Sequence, residues 1–131
     1  MKRRNLRVAG LIHRLLAEAL QKELTETTAW KINITKVDLS PDLRHARVFF
    51  LAITGPEDRL ECEQMLKANT PVLKKAMARN LRVRFQPEIS FVWDEALQAT
   101  ERVDEILDRL SRERRATEVP ASETEDKRTD D

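Results

Sequence analysis

Aromatic residues make up only 5% of the 131-residue chain, tyrosine is missing altogether, and there are two glycines and one cysteine. Each scarcity removes a class of explanation. A lone Cys62 excludes an intrachain disulfide and cannot by itself hold a structural zinc. Gly10 and Gly55 stand far apart, so no glycine-rich loop can bring backbone amides up to a phosphate. No apolar run approaches the roughly 20 residues of a membrane helix. The start, Met1 to Leu6, is basic but lacks the apolar centre of a signal peptide, which makes a soluble cytoplasmic protein the simplest reading. His13, His45 and Cys62 form no short-range ligand or nucleophile spacing. Glu88 and Asp94 would stand about 20 Å apart on an extended strand, too far for shared acid–base work. Neither catalysis nor a cofactor nor a metal is therefore expected.

What the chain does have is charge, unevenly spread. Residues 1–93 carry 17 basic and 10 acidic side chains, a net +7, whereas residues 94–115 carry five and seven and residues 116–131 two and six. A basic body with an acidic end suits a nucleic-acid-binding domain with a solvated tail; ordinary mixed surface charge is the plainer alternative. The length fits a single domain over residues 1–114. Residues 115–131 offer one valine and no larger apolar side chain, too little to offset the entropy of ordering, and read as a disordered acidic tail.

Residues 4–24 read as a helix, with Val8, Ile12, Leu15, Leu16 and Ala19 at helical spacing. Ile32, Ile34, Val37 and Leu39 alternate with one shift of parity after Ile34, which predicts a strand with a bulge or a twist there. Ser40-Pro41-Asp42 supplies turn chemistry. Arg44 to Ile53 is a second strand whose two faces are both largely apolar, placing it centrally in a sheet. After Gly55-Pro56, a helix over 57–68 meets Asn69-Thr70-Pro71, where Thr70 suits an N-cap and Pro71 a first helical position. A new helix should start there almost without a loop and run to about residue 80. Val83, Phe85, Ile89, Phe91 and Trp93 share one parity from Leu81 onward and predict a third strand with its aromatics inward. Asp94 to Arg114 reads as a last helix using Ala96, Ala99, Val103, Ile106 and Leu110, either packed on the domain or docking a partner.

The cations fall in two groups. Arg3, Arg7 and Arg14 lie within about 40° of one another on a helical wheel, with Arg4 beside them. Lys75, Arg79 and Arg82 follow at spacings of four and three, flanked by Lys74 and Arg84. Solvated helix faces are the bland alternative for both. The amino end of the helix after Asn69 and Thr70 is a potential anion site. With the aromatics assigned inward, base stacking is not the favoured mechanism, and Trp30 reads either as core edge or as a stacking residue.

The element order, helix-strand-strand-helix-helix-strand, resembles the α+β type II K-homology (KH) fold, a three-stranded sheet packed by helices, here with a C-terminal helix added. The segments Ile34-Thr35-Lys36-Val37-Asp38-Leu39-Ser40-Pro41-Asp42-Leu43 and Leu81-Arg82-Val83-Arg84-Phe85-Gln86-Pro87-Glu88-Ile89-Ser90-Phe91, with the basic first helix, resemble the ribosome-binding factor A family over roughly residues 4–110. The resemblance implies a monomeric, non-catalytic, cytoplasmic assembly factor that binds the free or immature 30S subunit and 16S rRNA. It also implies a part in late 16S rRNA maturation and processing, in cold adaptation, and a functional link to assembly GTPases. The rRNA contacts would come from Arg3, Arg4, Arg7, Arg14, Asn69, Thr70, Lys74, Lys75, Arg79, Arg82 and Arg84. A general KH-type RNA-binding module, or an adaptor using the C-terminal helix, is the alternative. The Gly-x-x-Gly loop of ordinary KH domains is absent, and the Ala-x-Gly kink frequent in the family reads Ala68-Asn69-Thr70-Pro71.

Overall fold

Ile12, Leu15, Leu16, Ala19 and Leu20 recur at intervals of one turn and are all buried, which makes α1 (Lys2–Lys22) an amphipathic helix laid on the sheet. The computed structural model describes residues 2–25, 27–100 and 103–123. Three strands follow from the alternating segments: β1 (Ile32–Leu39), β2 (His45–Ala52) and β3 (Glu88–Trp93). β2 pairs antiparallel with β1 and parallel with β3, so it is central, as its two apolar faces require. Between β2 and β3 the chain crosses over through α2 (Arg59–Ala68) and α3 (Thr70–Ala78). Val48 and Phe50 of β2 are fully buried on one side, with Ile12, Leu16, Leu66, Leu73 and Met77 from the three helices in the same cluster. Phe50 meets the Trp93 ring edge-on, with centroids 5.5 Å apart.

The parity shift in β1 is a β-bulge: the register steps from Ile34 opposite Phe50 to Lys36 opposite Phe49 and leaves Thr35 without a partner. Freed from the ladder, the Thr35 hydroxyl donates to Asp94 Oδ2 at 2.5 Å, while Asp94 Oδ1 accepts the Leu97 amide at 3.0 Å. Asp94 thereby caps α4 (Glu95–Gln98) although its carboxylate is buried. Asp94→Ala removes the cap and orphans the Thr35 hydroxyl, and is expected to cost about 1–3 kcal/mol of stability in urea unfolding. Thr35→Val in the same background should add much less than it does alone, because the two side chains act as a pair.

At the β1–β2 turn Asp42 Oδ1 accepts from the Ser40 hydroxyl at 2.6 Å and from the Arg44 amide at 3.1 Å. Both bonds favour the carboxylate and hold the Asp42 pKa below its ordinary value, the Ser40 bond most.

Three sequence expectations are corrected. β3 begins at Glu88 rather than Leu81, because β2 starts at His45, the partner of Glu88, and Pro87 has no amide to donate. Residues 81–87 form a loop held by buried Leu81 and Pro87, and Phe85, assigned inward by parity, is 52% exposed. The last helix is two: after α4 the chain turns at Ala99–Thr100, and α5 (Val103–Glu123) starts in a new phase. Val103 is buried as expected, but Leu107 is buried in place of Ile106, which is exposed, as are Ala96 and Ala99. The helix also passes Arg114, so residues 115–123 of the expected disordered tail are helical; residues 124–131 lie outside the described residues.

α5 is fastened by Arg114, whose guanidinium donates to the Ile32 carbonyl at 2.7 Å and to Asn33 Oδ1 at 3.1 Å. Arg115 lies over the Trp30 ring at 5.0 Å, and Trp30 packs at the core edge.

Candidate nucleic-acid interface

One residue, Asn69, separates α2 from α3, and this tight junction follows from local chemistry. Pro71 gives up no helical hydrogen bond so close to a helix start. The Thr70 hydroxyl, expected to cap α3, instead donates back to the Leu66 carbonyl at 2.8 Å, and Asn69 Nδ2 donates to the Met65 carbonyl at 2.9 Å. Both side chains therefore finish α2, and no side chain caps α3. Beside this junction a groove of about 280 Å³ is lined by Glu63, Lys67 and Thr70 on the helical side and Ile89, Ser90 and Phe91 on the strand side. β3 is an edge strand, and among the described residues no further strand pairs with its outer side, where Ile89, Ser90 and Phe91 line the groove.

The expected contact residues do not form one patch. Thr70 lines the groove, and Asn69 precedes it at the junction. Lys74 reaches Glu88, at the start of β3, with Nζ 3.1 Å from Oε1. Arg3, Arg4 and Arg7 are exposed along the first turns of α1, and Asn5 among them donates to the Ser40 carbonyl at 3.4 Å. That bond brings the amino end of α1 to the β1–β2 turn. The turn in turn holds the 81–87 loop, since the Glu88 amide donates to the Arg44 carbonyl at 2.8 Å. Arg82 and Arg84 are exposed on that loop. One end of the sheet thus gathers Arg3, Arg4, Arg7, Arg44, Arg82 and Arg84, and among the described residues no carboxylate pairs with any of them.

Arg14 and Arg79 stand apart. Arg14 is 4.0 Å from Glu18 on its own helix, and Arg79 bonds Glu23 at the carboxyl end of α1. Lys75 is exposed and carries no ion pair among the described residues. Such exposed ion pairs are weak, about 0–1 kcal/mol, but each keeps its cation near a fixed negative charge. Of the stripe Arg3, Arg7 and Arg14, only Arg14 has a carboxylate partner among the described residues.

A model of ribosome-binding factor A matches residues 4–107. The chain belongs to the ribosome-binding factor A family. It is 35% identical over 109 residues to ribosome-binding factor A of Coxiella burnetii, covering 83% of this chain and 91% of that one. The corresponding protein of Azoarcus sp. is 34% identical over 110 residues, covering 84% and 87%. The crystal structure of ribosome-binding factor A from Thermus thermophilus superposes with a TM-score of 0.59 at 25% identity, over 67% of this chain and 93% of that one. The α+β order and the three-stranded mixed sheet are thus those of the family.

Two cations outside the expected contact set also lie here. Lys67 stands two residues before Asn69 and lines the groove, and Arg44 directly precedes β2. Position next to an element boundary was the available signal for both. The remaining titratable candidates are dispersed: His13 is half-buried on α1, His45 exposed at the start of β2, and Cys62 buried on α2. Among the described residues no group of three His, Cys, Asp or Glu could hold a metal, and no helix is long and apolar enough to cross a membrane.

Burial, then the charges of Glu61 and Asp58, push the Cys62 thiol up to about 11. The folded form keeps its proton where the unfolded thiol, near 9.0, loses it, so the contribution is complete below pH 9 and is lost as pH rises from about 9 to about 11. Reaction of Cys62 with a thiol reagent at pH 8 is expected only after denaturation. Prompt stoichiometric labelling of the native chain would show that the α2 core face opens.

Proposed function

We propose that this protein binds the free or immature 30S ribosomal subunit through 16S rRNA and promotes late maturation of that subunit without catalysing a reaction. The observation that carries the reading is the groove between the α2–α3 junction and the edge strand β3, lying beside an end of the sheet whose arginines have no carboxylate partners among the described residues. Unpaired cations attract a phosphate backbone by releasing its counterions and contribute affinity more than sequence choice. The junction side chains are consumed in ending α2, so the contact there comes from Lys67 and from α3's uncapped amino end rather than from the hydroxyl and amide of Thr70 and Asn69.

Membership of a family named for ribosome binding supports the choice of partner. The domain doing this work is residues 1–114, acting as a cytoplasmic monomer, and the link to assembly GTPases, rRNA processing and cold adaptation follows the same reading. The protein is expected to co-sediment with immature small subunits and not with large subunits, without turnover of nucleotide or RNA. Co-sedimentation with large subunits alone, or with neither, would overturn the assignment.

A further inference from the structure

Phe85 is the one aromatic among the exposed large apolar side chains, and the loop that carries it is not loose. Leu81 and Pro87 anchor it in the core, and Gln86 Nε2 donates back to the Leu81 carbonyl at 3.0 Å. The anchors fix the loop on both sides of the ring while leaving the ring in solvent. Two guanidinium groups lie over it, Arg44 at 4.8 Å and Arg84 at 5.4 Å from the centroid. Neither pairs with a carboxylate among the described residues. Asp42 accepts the Arg44 backbone amide and attracts its guanidinium only through space, and Glu88 is taken by Lys74.

We propose that Phe85, Arg44 and Arg84 form a stacking site for one unpaired base of single-stranded RNA, at the sheet end beside the groove. The proposal rests on the RNA-binding reading above and adds the kind of RNA. Guanidinium and phenyl planes both accept the face of a base, so an incoming base can add to a cation–ring cluster already assembled in the free protein. The flanking phosphates then meet the outer edges of the same arginines, which have donors to spare. A base inside a duplex presents no free face, so the site selects unpaired nucleotides. A protein partner is less suited to it, because two guanidinium groups without an ion-pair partner among the described residues would need carboxylates positioned on both.

The test uses the full chain, a short single-stranded RNA carrying one fluorescent adenine analogue, and a fully paired RNA of the same length. Binding is expected to quench the analogue. Phe85→Leu should abolish the quench and weaken single-strand binding about tenfold, with duplex affinity and thermal midpoint unchanged; Phe85→Trp should restore both quench and affinity. Quench and affinity that survive Phe85→Leu would overturn the stacking site, while the RNA-binding reading stands if neutralising the free cations still weakens the complex. Loss of small-subunit binding by Phe85→Leu with RNA binding untouched would also overturn it and assign the ring to a ribosomal protein. A wild-type chain that binds neither RNA overturns the site and the reading beneath it together.

Discussion

Phe50→Ala is expected to lower the unfolding free energy by about 3–5 kcal/mol and the thermal midpoint by on the order of 10–20 °C. Phe50 is fully buried at the centre of the middle strand, opposite Ile34 on β1 and Trp93 on β3, so its loss leaves a cavity shared by all three strands. The partly formed alternatives are poor: β2 is held on both sides and the helices cannot collapse into the space without shifting the sheet register. The edge-on contact with Trp93 is lost as well, and with it part of what holds the Trp93 Nε1 donor at 2.6 Å from Gln98 Oε1. Phe50→Leu, which keeps most of the volume, should cost less than half as much. Equal costs for the two variants in urea unfolding would mean that shape at this position does not organise the core.

Replacing Arg7, Lys67 and Arg82 together by glutamine is expected to weaken binding to small-subunit rRNA about 10–100-fold at moderate salt. The slope of log affinity against log salt should flatten by about 2, since each lost phosphate contact on single-stranded RNA removes roughly 0.7. These three are exposed or line the groove and have no carboxylate partner among the described residues. Arg14 and Arg79 provide the control, because each already faces a glutamate. Arg14→Gln with Arg79→Gln should change affinity severalfold at most and leave the slope nearly intact. Charge counting along the sequence rates the two sets alike; the geometry separates them.

That separation marks where the sequence stops being informative. Strand and helix positions follow from periodicity, and even the β1 bulge is legible because a bulge shifts parity by one residue. The junction at Asn69–Pro71 is legible from proline chemistry, although the use of Thr70 is not: a hydroxyl there can bond forward to α3 or back to α2, and only packing chooses. Phe85 was misplaced because alternation continues through a loop as easily as through a strand. The start of β3 is set by where its parallel neighbour β2 begins, and pairing of that kind is invisible in a local window.

The C-terminal helix failed for a related reason. A break at Ala99–Thr100 resets the helical phase, so a stripe drawn through it selects Ile106 where the structure buries Leu107. Of the site, residue types and local neighbourhoods were readable. Ion pairing between distant segments, such as Arg79 with Glu23, depends on how α1 and α3 lie together and could not be read.

The most direct measurement places a photoreactive amino acid at Ser90, in the groove on β3, and in a second protein at Asp108, exposed on α5. Each is irradiated in complex with immature small subunits, and the crosslinked partner is identified. Crosslinks from position 90 to 16S rRNA, with few or none from position 108, are the expected result. Crosslinks to rRNA from position 108 alone would contradict the groove as the binding surface and turn attention to the C-terminal helix.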